Sequence, residues 1–400
     1  MIHVSPAKAR PRPVLLHISS DYPNPLRTPT TNAVERLVDR LTDYDQVVVS
    51  LQRIDNPRRT YWRDLGMVDG RRLIAHGYFA PPFGIGMLAC QARLALRIRR
   101  FLKSEAIRPD IVHSHRFTFE GIAAWMVARA SRAALFFSVR GEVEGKVFST
   151  KPTYRPLFRR MARDATRIFY VSAWFRQRFE AVTGVDPGRT RLLPNIVFNT
   201  RPDIPVTQPQ KRIVCAMTLT AIDKKGLPEL LNAFARVAPG MPGVVLDIVG
   251  DGPEAARARV RGLIEDNGLA GRAFLRGPRD HHELLADFGQ VLAMAMPSHN
   301  ETFGMVFPEA LFAGAPILYT RATGIDGYLD GLDVGVAVEP GNVESIAEGL
   351  VRLVEDNARY RQNIRDAAPT LFERFDPALN LARYRADVER LTDAAAAGAS

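Results

Sequence analysis

Residues Met296–Gly314 read MPSHNETFGMVFPEALFAG, with Glu301 and Glu309 on either side of Phe303-Gly304. A turn at Gly304 is predicted, with a helix starting just after it. Pro308 limits where that helix can begin, because proline is tolerated in a first turn and breaks a helix elsewhere. The amides of Gly304, Met305 and Val306 then point out of the helix start, and with the dipole behind them they form an anion site. A carboxylate stands at each end. Such an arrangement suits a diphosphate flanked by two hydroxyl-bearing rings, with N–H donors for the phosphates and an acceptor for each ring. Two acids near a helix start also favour the dipole without any ligand, so the rest of the chain must decide.

The chain has 400 residues, 46% hydrophobic and 24% charged, enough for two or three globular domains. Cys90 and Cys215 are far apart and in no metal-like spacing, as expected of reduced thiols in a cytoplasmic protein. No apolar run reaches the roughly 18 residues of a membrane span. The first residues, MIHVSPAKARPRP, are basic without an apolar core. They are expected to be a lead-in to the first strand rather than a signal peptide, and the final AAAAGAS a frayed tail. Residues 1–205 carry 34 Lys and Arg against 17 Asp and Glu; residues 206–400 carry 20 against 26. This asymmetry points to two domains with different partners: the basic half suits nucleic acid, anionic lipid or a phosphorylated acceptor.

Working outward, strands and helices alternate. Apolar runs at Val14–Ser19, Gln46–Leu51, Asp110–His113, Leu135–Val139, Arg167–Val171 and Arg191–Leu193 are predicted strands. Between them fall helices at Thr31–Leu41, Met87–Leu102, Phe119–Ala130 and Ala173–Thr183. Periodicity stops at Asn199–Lys211, NTRPDIPVTQPQK, a proline-bearing linker. It resumes with strands at Arg212–Met217, Val244–Val249, Ala273–Arg276, Val291–Met296 and Pro316–Tyr319. The helices there are Pro228–Val237, Pro253–Asn267, His282–Ala286, Met305–Ala313, Val343–Glu355, Ala358–Phe375 and Ala378–Leu391. The predicted class is α/β, two doubly wound Rossmann-like domains with parallel sheets. The boundaries are 1–200, a linker 201–211, 212–376, and a helix in 377–400 that crosses back to the first domain. Ligands are expected in the cleft, at the carboxyl ends of the strands.

Four more strand ends of the second domain carry candidate residues: Thr218-Leu219-Thr220 with Asp223-Lys224-Lys225-Gly226, then Gly250-Asp251-Gly252-Pro253, Arg276-Gly277 and Thr323-Gly324. A lysine on a glycine-turned loop at a helix start suits a diphosphate; it is also an ordinary solvated loop residue. Gly250 can likewise be a tight strand-to-helix turn, and Arg276 can line a base pocket.

Taken in order, KKG, IVGDGP, FLRG and PSHNETFGMVFPEALFAGAPI resemble the retaining glycosyltransferases of family 4, which have the GT-B fold. The likeness is strong over about residues 190–330 and architectural elsewhere. It implies that Glu309 binds ribose hydroxyls of a nucleoside-diphosphate sugar and that Glu301 faces the donor sugar near the reacting carbon. The amides after Phe303, those of Gly304, Met305 and Val306, would hold the phosphates, with Thr302 and Phe303 also on the donor side. Lys225 would bind the diphosphate, and Gly250, Arg276 and Gly277 would line the nucleotide pocket. Thr218 stands where relatives have an arginine, a departure that Lys224 could compensate. In the first domain, Thr30-Thr31-Asn32 occupies the place of a Gly-Gly loop, and is also a good helix cap. Pro109–His115 (PDIVHSH) resembles the family's histidine-ended strand, with His113 in the core and His115 a cleft candidate. Arg140 replaces a histidine that touches the donor sugar in many relatives. An arginine cannot act as a general base, so there it would bind phosphate or sugar hydroxyls. Pro194-Asn195 matches the Pro-Asn before the linker.

The implied reaction moves a sugar to an acceptor hydroxyl with retention, Glu301 and Lys225 carrying the chemistry. The oxocarbenium-like transition state places negative charge on the leaving diphosphate, opposed by Lys225 and the helix-start amides. No Asp-x-Asp motif sits at a suitable strand end, so no metal or other cofactor is expected. The partners expected are a nucleotide-sugar donor and a glycan or lipid-linked acceptor of polysaccharide or lipopolysaccharide assembly. Nucleic acid is not expected, because no nucleic-acid module is visible. The basic stretches Arg93–Lys103 and Arg155–Arg167 fit either an anionic membrane surface or ordinary amphipathic helices packed on a sheet. Peripheral attachment to the inner face of the plasma membrane follows from the former. The alternatives are a nucleotide-sugar epimerase or phosphorylase on the same fold, a pseudoenzyme, and a non-catalytic basic nucleotide- or nucleic-acid-binding protein.

Overall fold

A computed structural model describes residues 12–26, 31–197, 204 and 208–397. The first domain contains β1 (Val14–Ser19), α1 (Ala33–Val38), β2 (Asp45–Ile54), β3 (Tyr61–Val68), β4 (Arg71–Phe79), α2 (Met87–Ser104) and β5 (Ile111–Ser114). It continues with α3 (Glu120–Ser131), β6 (Ala134–Val139), α4 (Glu142–Thr150), α5 (Arg155–Asp164), β7 (Arg167–Tyr170), α6 (Arg176–Thr183) and β8 (Thr190–Leu192). The second comprises β9 (Gln210–Ala216), α7 (Leu227–Val237), β10 (Val245–Val249), α8 (Glu254–Asp266), β11 (Ala273–Gly277), α9 (His281–Gln290) and β12 (Val291–Ala295). It ends with α10 (Val306–Phe312), β13 (Ile317–Thr320), β14 (Gly335–Val338), α11 (Val343–Glu355), α12 (Asn357–Asp366) and α13 (Ala368–Phe375); α14 (Pro377–Ala397) closes the chain.

Sheet order is β3-β4-β2-β1-β5-β6-β7-β8 in the first domain and β11-β10-β9-β12-β13-β14 in the second. Both are the layered α/β arrangement that buries parallel strands on two faces. Leu15, Leu16 and Ile18 of β1 and Ile213, Val214 and Cys215 of β9 are fully buried. Chain order reverses on either side of β1 and of β9, and side chains beyond those carboxyl ends meet in the crevice between outgoing loops.

β3, β4, α4 and β14 stand where no strand or helix was expected, and three further features depart from the sequence expectation. The first sheet is not wholly parallel: β3 pairs antiparallel with β4, through a turn with Asp69 at φ 47° and Gly70 at φ 78°. That Asp-Gly turn is a hairpin signal, not taken up in the sequence expectation because the edge strand β3, YWRDLGMV, has no clean alternation. The helix expected over Ala358–Phe375 breaks after Asp366, where Pro369 opens α13. The last helix runs on to Ala397, into the stretch read as a frayed tail.

α14 lies on the first sheet, although the second domain precedes it. Leu381, Tyr384 and Val388 share a core with Leu15, Ile111, Phe136 and Phe169. Asp387 accepts from Arg167 at 2.7 Å and pairs with Arg191 at 2.9 Å. Tyr328 ties the domains again, donating its hydroxyl to the Tyr170 carbonyl at 3.0 Å.

Candidate active site

The second-domain side of the cleft is built by close backbone approaches. Gly226 has φ +71°, and a Cβ there would lie 2.1 Å from the Pro297 carbonyl oxygen. The lysine loop can therefore press against the segment after β12, which brings Lys225 beside Glu301. Their ammonium and carboxylate Oε2 form a direct ion pair. The other carboxylate oxygen accepts the Thr302 amide at 3.0 Å. The Glu301 backbone is pinned as well: its amide donates to Thr323 Oγ1 at 2.6 Å, and its carbonyl accepts from Gly324 at 2.8 Å. Gly324 leaves room for the Glu301 stem, since a Cβ would stand 3.3 Å from Glu301 Cγ. Across the sheet, a Cβ on Gly250 would lie 1.8 Å from the Met217 carbonyl oxygen, so that turn needs glycine for space.

Gly304 turns the chain at φ +73°, and α10 follows from Val306. The amides of Gly304, Met305 and Val306 have no acceptor among the described residues. Glu309 sits in the first turn of α10, 6% exposed. Burial pushes its carboxyl up to about 7, opposed by the Arg36 charge. His281 Nδ1 stands 3.8 Å away. Arg36 comes from α1 of the first domain and is held by the Ile196 and Val197 carbonyls at 3.1 and 3.3 Å.

The first-domain side is a buried ionic cluster where the chain order reverses. Asp21 receives two bonds from Arg116, at 2.7 and 3.0 Å, and lies 3.6 Å from Arg140 Nε. Glu120 accepts Ser20 N and Oγ. Glu144 accepts the Phe117 amide at 3.1 Å. Burial raises the pKa of both glutamates. Behind the cluster, His17, His113 and His115 stack in the core. Burial keeps all three neutral, pushing His17 down to about 3 and the other two well below the usual range. Their nitrogens come within 4.8 Å of one another. Those of His113 already face Tyr384 Oη and Ser138 Oγ, at 3.0 and 2.9 Å, and the nearby Arg140 charge disfavours an added cation.

The two sides touch at the Glu301 loop. Ser172 Oγ and Trp174 Nε1 donate to the Thr302 carbonyl at 2.6 and 3.4 Å. Lys224 meets Glu142 of α4 at 2.8 Å. The lysine and glycine loops, the paired acids and the free helix-start amides thus occupy one cleft between two Rossmann-like domains. Residues 203–370 match the family described as glycosyl transferases group 1, and residues 26–196 match the glycosyl transferase 4-like domain.

This chain is a group 1 glycosyltransferase. It is 30% identical over 242 residues to an exopolysaccharide phosphotransferase of Streptomyces coelicolor, covering 57% of this chain and 25% of that longer protein. It is 27% identical over 271 residues to a GDP-mannose-dependent alpha-(1-6)-phosphatidylinositol monomannoside mannosyltransferase of Mycobacterium tuberculosis, covering 62% and 69%. Among solved structures, sucrose-phosphate synthase from Thermosynechococcus elongatus superposes with a TM-score of 0.70 at 17% identity, covering 96% of this chain and 100% of that one. The fold is GT-B.

Several expected site residues of this glycosyltransferase stand elsewhere than the sequence suggested. Lys224 does not join Lys225 at Glu301; its ammonium bridges to Glu142 of the first domain. Thr218 itself is exposed at the end of β9, where its carbonyl caps Ala221. Arg276 pairs with the buried carboxylate of Asp247 at 2.8 Å and lies over the Phe274 ring. Gly277 accepts the Gly250 amide at 3.0 Å. The Phe303 side chain is core, packed edge-on against Tyr328. His115 is fully buried and is not a cleft residue. Arg140 is also buried, donating to the His115 carbonyl at 3.1 Å. Asn32 makes no side-chain cap bond, whereas Thr31 Oγ1 accepts the Ala33 amide at 3.2 Å. Thr30 lies outside the described residues. The sequence reading missed Arg36, Asp21, Arg116, Glu120, Glu144, Ser172 and Trp174. Asp21, just beyond β1, and Arg116, just beyond β5, could have been found from their places at strand ends; the others are assembled by packing.

Proposed function

We propose that this glycosyltransferase moves a sugar from a nucleoside-diphosphate donor to an acceptor hydroxyl with retention at the anomeric carbon. The observation that carries this is the Lys225–Glu301 pair beside the unpaired amides of Gly304, Met305 and Val306, with Glu309 in the next turn. An incoming diphosphate offers Lys225 a stronger partner than a single carboxylate. Lys225 and the amides then face charge as it grows on the leaving group, the electrostatic route to rate. Released from Lys225, Glu301 accepts from the donor sugar and steadies the oxocarbenium-like carbon, while the leaving phosphate takes the acceptor proton on the same face. Ionised Glu309 accepts the two ribose hydroxyls. These groups suffice without a divalent cation, so chelation should leave the rate unchanged. The acceptor is a glycan or a lipid-linked sugar of polysaccharide or glycolipid assembly at the cytoplasmic face of a membrane. The named activities of the exopolysaccharide and phosphatidylinositol mannoside relatives support that choice.

A melting-point panel with UDP, GDP, ADP and their sugars identifies the donor, since a ligand at 100 times its Kd stabilises by about 2.7 kcal/mol. With the donor in hand, Glu301→Gln and Lys225→Ala should each lower kcat by about 10²- to 10³-fold, and NMR of early product should show the donor's anomeric configuration. Wild-type turnover by Glu301→Gln, or an inverted product, would sink the proposal.

A further inference from the structure

Eight large hydrophobic side chains stand exposed among the described residues. Four of them, Phe83, Ile85, Leu88 and Leu96, lie on one piece of chain running from the end of β4 into α2. Phe83 is 86% and Ile85 62% exposed. The loop they occupy, Pro81–Gly86, has left-handed backbone at Phe83, Gly84 and Gly86, with φ of 55°, 67° and 62°. A phenylalanine held there is strained, and no burial of its ring offsets the strain.

The helix continues the pattern. Leu88, Ala92 and Leu96 form an outward ridge at every fourth residue, Arg99 and Lys103 extend it, and Arg93 and Arg100 flank it. The inner face of α2 buries Leu94, Ala95, Ile98, Phe101 and Leu102, and α5 buries Phe158, Met161 and Ala162. Apart from Leu96, the main apolar residues of both basic stretches are therefore in the core; the outward apolar contacts come from the loop and the α2 ridge, Leu96 included. Beside the ridge, Arg129 and Arg160 lie over the ring of Trp125 on α3, 5.1 and 5.8 Å from its centroid.

The loop also has a defined direction. β4 runs parallel to β2, and β2 to β1, so Pro81–Gly86 leaves the sheet at its carboxyl edge, which faces the second domain. A Cβ on Gly84 would stand 3.3 Å from Lys151 Cε, just past α4, whose first residue Glu142 bridges to Lys224.

We propose that this surface docks on an anionic lipid bilayer: Phe83, Ile85 and Leu88 enter the headgroup–acyl boundary, while Arg93, Arg99, Arg100 and Lys103 meet lipid phosphates. The match is chemical, an aromatic and aliphatic knob collared by basic side chains on the half of the chain that holds 34 basic and 17 acidic residues. The inference rests on the reading above insofar as a lipid-carried acceptor gives the docking its purpose: the cleft mouth would then open beside the headgroups.

The test is flotation of the full-length chain with phosphatidylcholine vesicles, with and without about 30 mol% phosphatidylglycerol, at physiological salt. Wild type should float with the anionic vesicles and remain behind with the neutral ones. Asparagine tolerates the left-handed backbone at position 83, so Phe83→Asn/Ile85→Asn should stay folded and lose about tenfold or more of the binding. Arg93→Gln/Arg100→Gln should lose much of the preference for anionic lipid. The nucleotide-induced melting shift should be the same in all of these proteins, because it reads the donor site alone and fails separately. The proposal is overturned if wild type ignores anionic vesicles or if Phe83→Asn/Ile85→Asn floats like wild type. It is also overturned if sedimentation velocity shows a wild-type dimer that this variant abolishes, which would assign the face to a second copy.

Discussion

Replacing Glu309 by Gln should make the protein more stable and the site worse. Burial raises the Glu309 carboxyl from 4.5 to about 7. The native chain therefore takes up a proton there more readily than the unfolded chain. Stability falls as pH climbs from about 4.5 to about 7, and the group contributes no further pH dependence on either side. At about 1.4 kcal/mol per tenfold change, the gap amounts to a cost of about 3 kcal/mol above pH 7. Glutamine cannot ionise, so Glu309→Gln should recover about that much at pH 8 and match wild type at pH 4. In a domain of this size each kcal/mol moves the melting point about 2–4 °C. Nucleotide binding should change the other way. Losing two charge-assisted bonds to the ribose diol, about 1.5–3 kcal/mol each, should weaken it by a hundredfold or more. In wild type, affinity should fall about tenfold per pH unit below 7 and level off above it, because the acceptor is the ionised form. Calorimetric melts at pH 5 to 8 and nucleotide titrations over the same range read both effects. The same melting point for variant and wild type at pH 8, or wild-type affinity that is flat from pH 6 to 8, would refute this account of Glu309.

Three further outcomes follow from the geometry. Lys224→Ala should leave donor affinity within about threefold and stability within about 1 kcal/mol, since it removes an exposed bridge to Glu142; a large loss of donor binding would restore Lys224 to the diphosphate site. Gly226→Ala should shift the Lys225 loop away from Pro297, because the new methyl would sit 2.1 Å from a carbonyl oxygen, and kcat should fall with the loop even where a denaturant melt shows the chain still folded. Tyr384→Ala should cost about 3–5 kcal/mol in chemical denaturation and should report on the first domain, whose Phe136, Phe169 and His113 pack around that ring.

Much of the candidate site was legible along the chain because its residues are neighbours in sequence or follow strand ends. Glu301, the turn at Gly304 and Glu309 are one loop and one helix turn, and a Lys-Gly before a helix is a local pattern. Side-chain direction was not legible. Lys224 and Lys225 are adjacent, yet one faces Glu142 and the other Glu301, because the tight approach of Gly226 to Pro297 sets the twist of that loop. His115 and Arg140 sit at strand ends like their neighbours, but the reversal of chain order brings Asp21, Arg116 and Glu144 over them and closes them from solvent. Arg276 pairs with a buried carboxylate on a neighbouring strand, a contact that no local pattern announces.

Sequence by itself determined the two α/β domains and the strand-end loops of the second, since those depend on short-range periodicity and turn chemistry; most of the expected linker lies outside the described residues. Tertiary structure alone decided what the two halves do to each other. It places Arg36 near Glu309, bridges Lys224 to Glu142, and sends α14 home to the first sheet. It also shows which apolar residues of the basic half are left outside. Each of these is a contact between distant segments, and its energy comes from burial and charge pairing that no local pattern encodes.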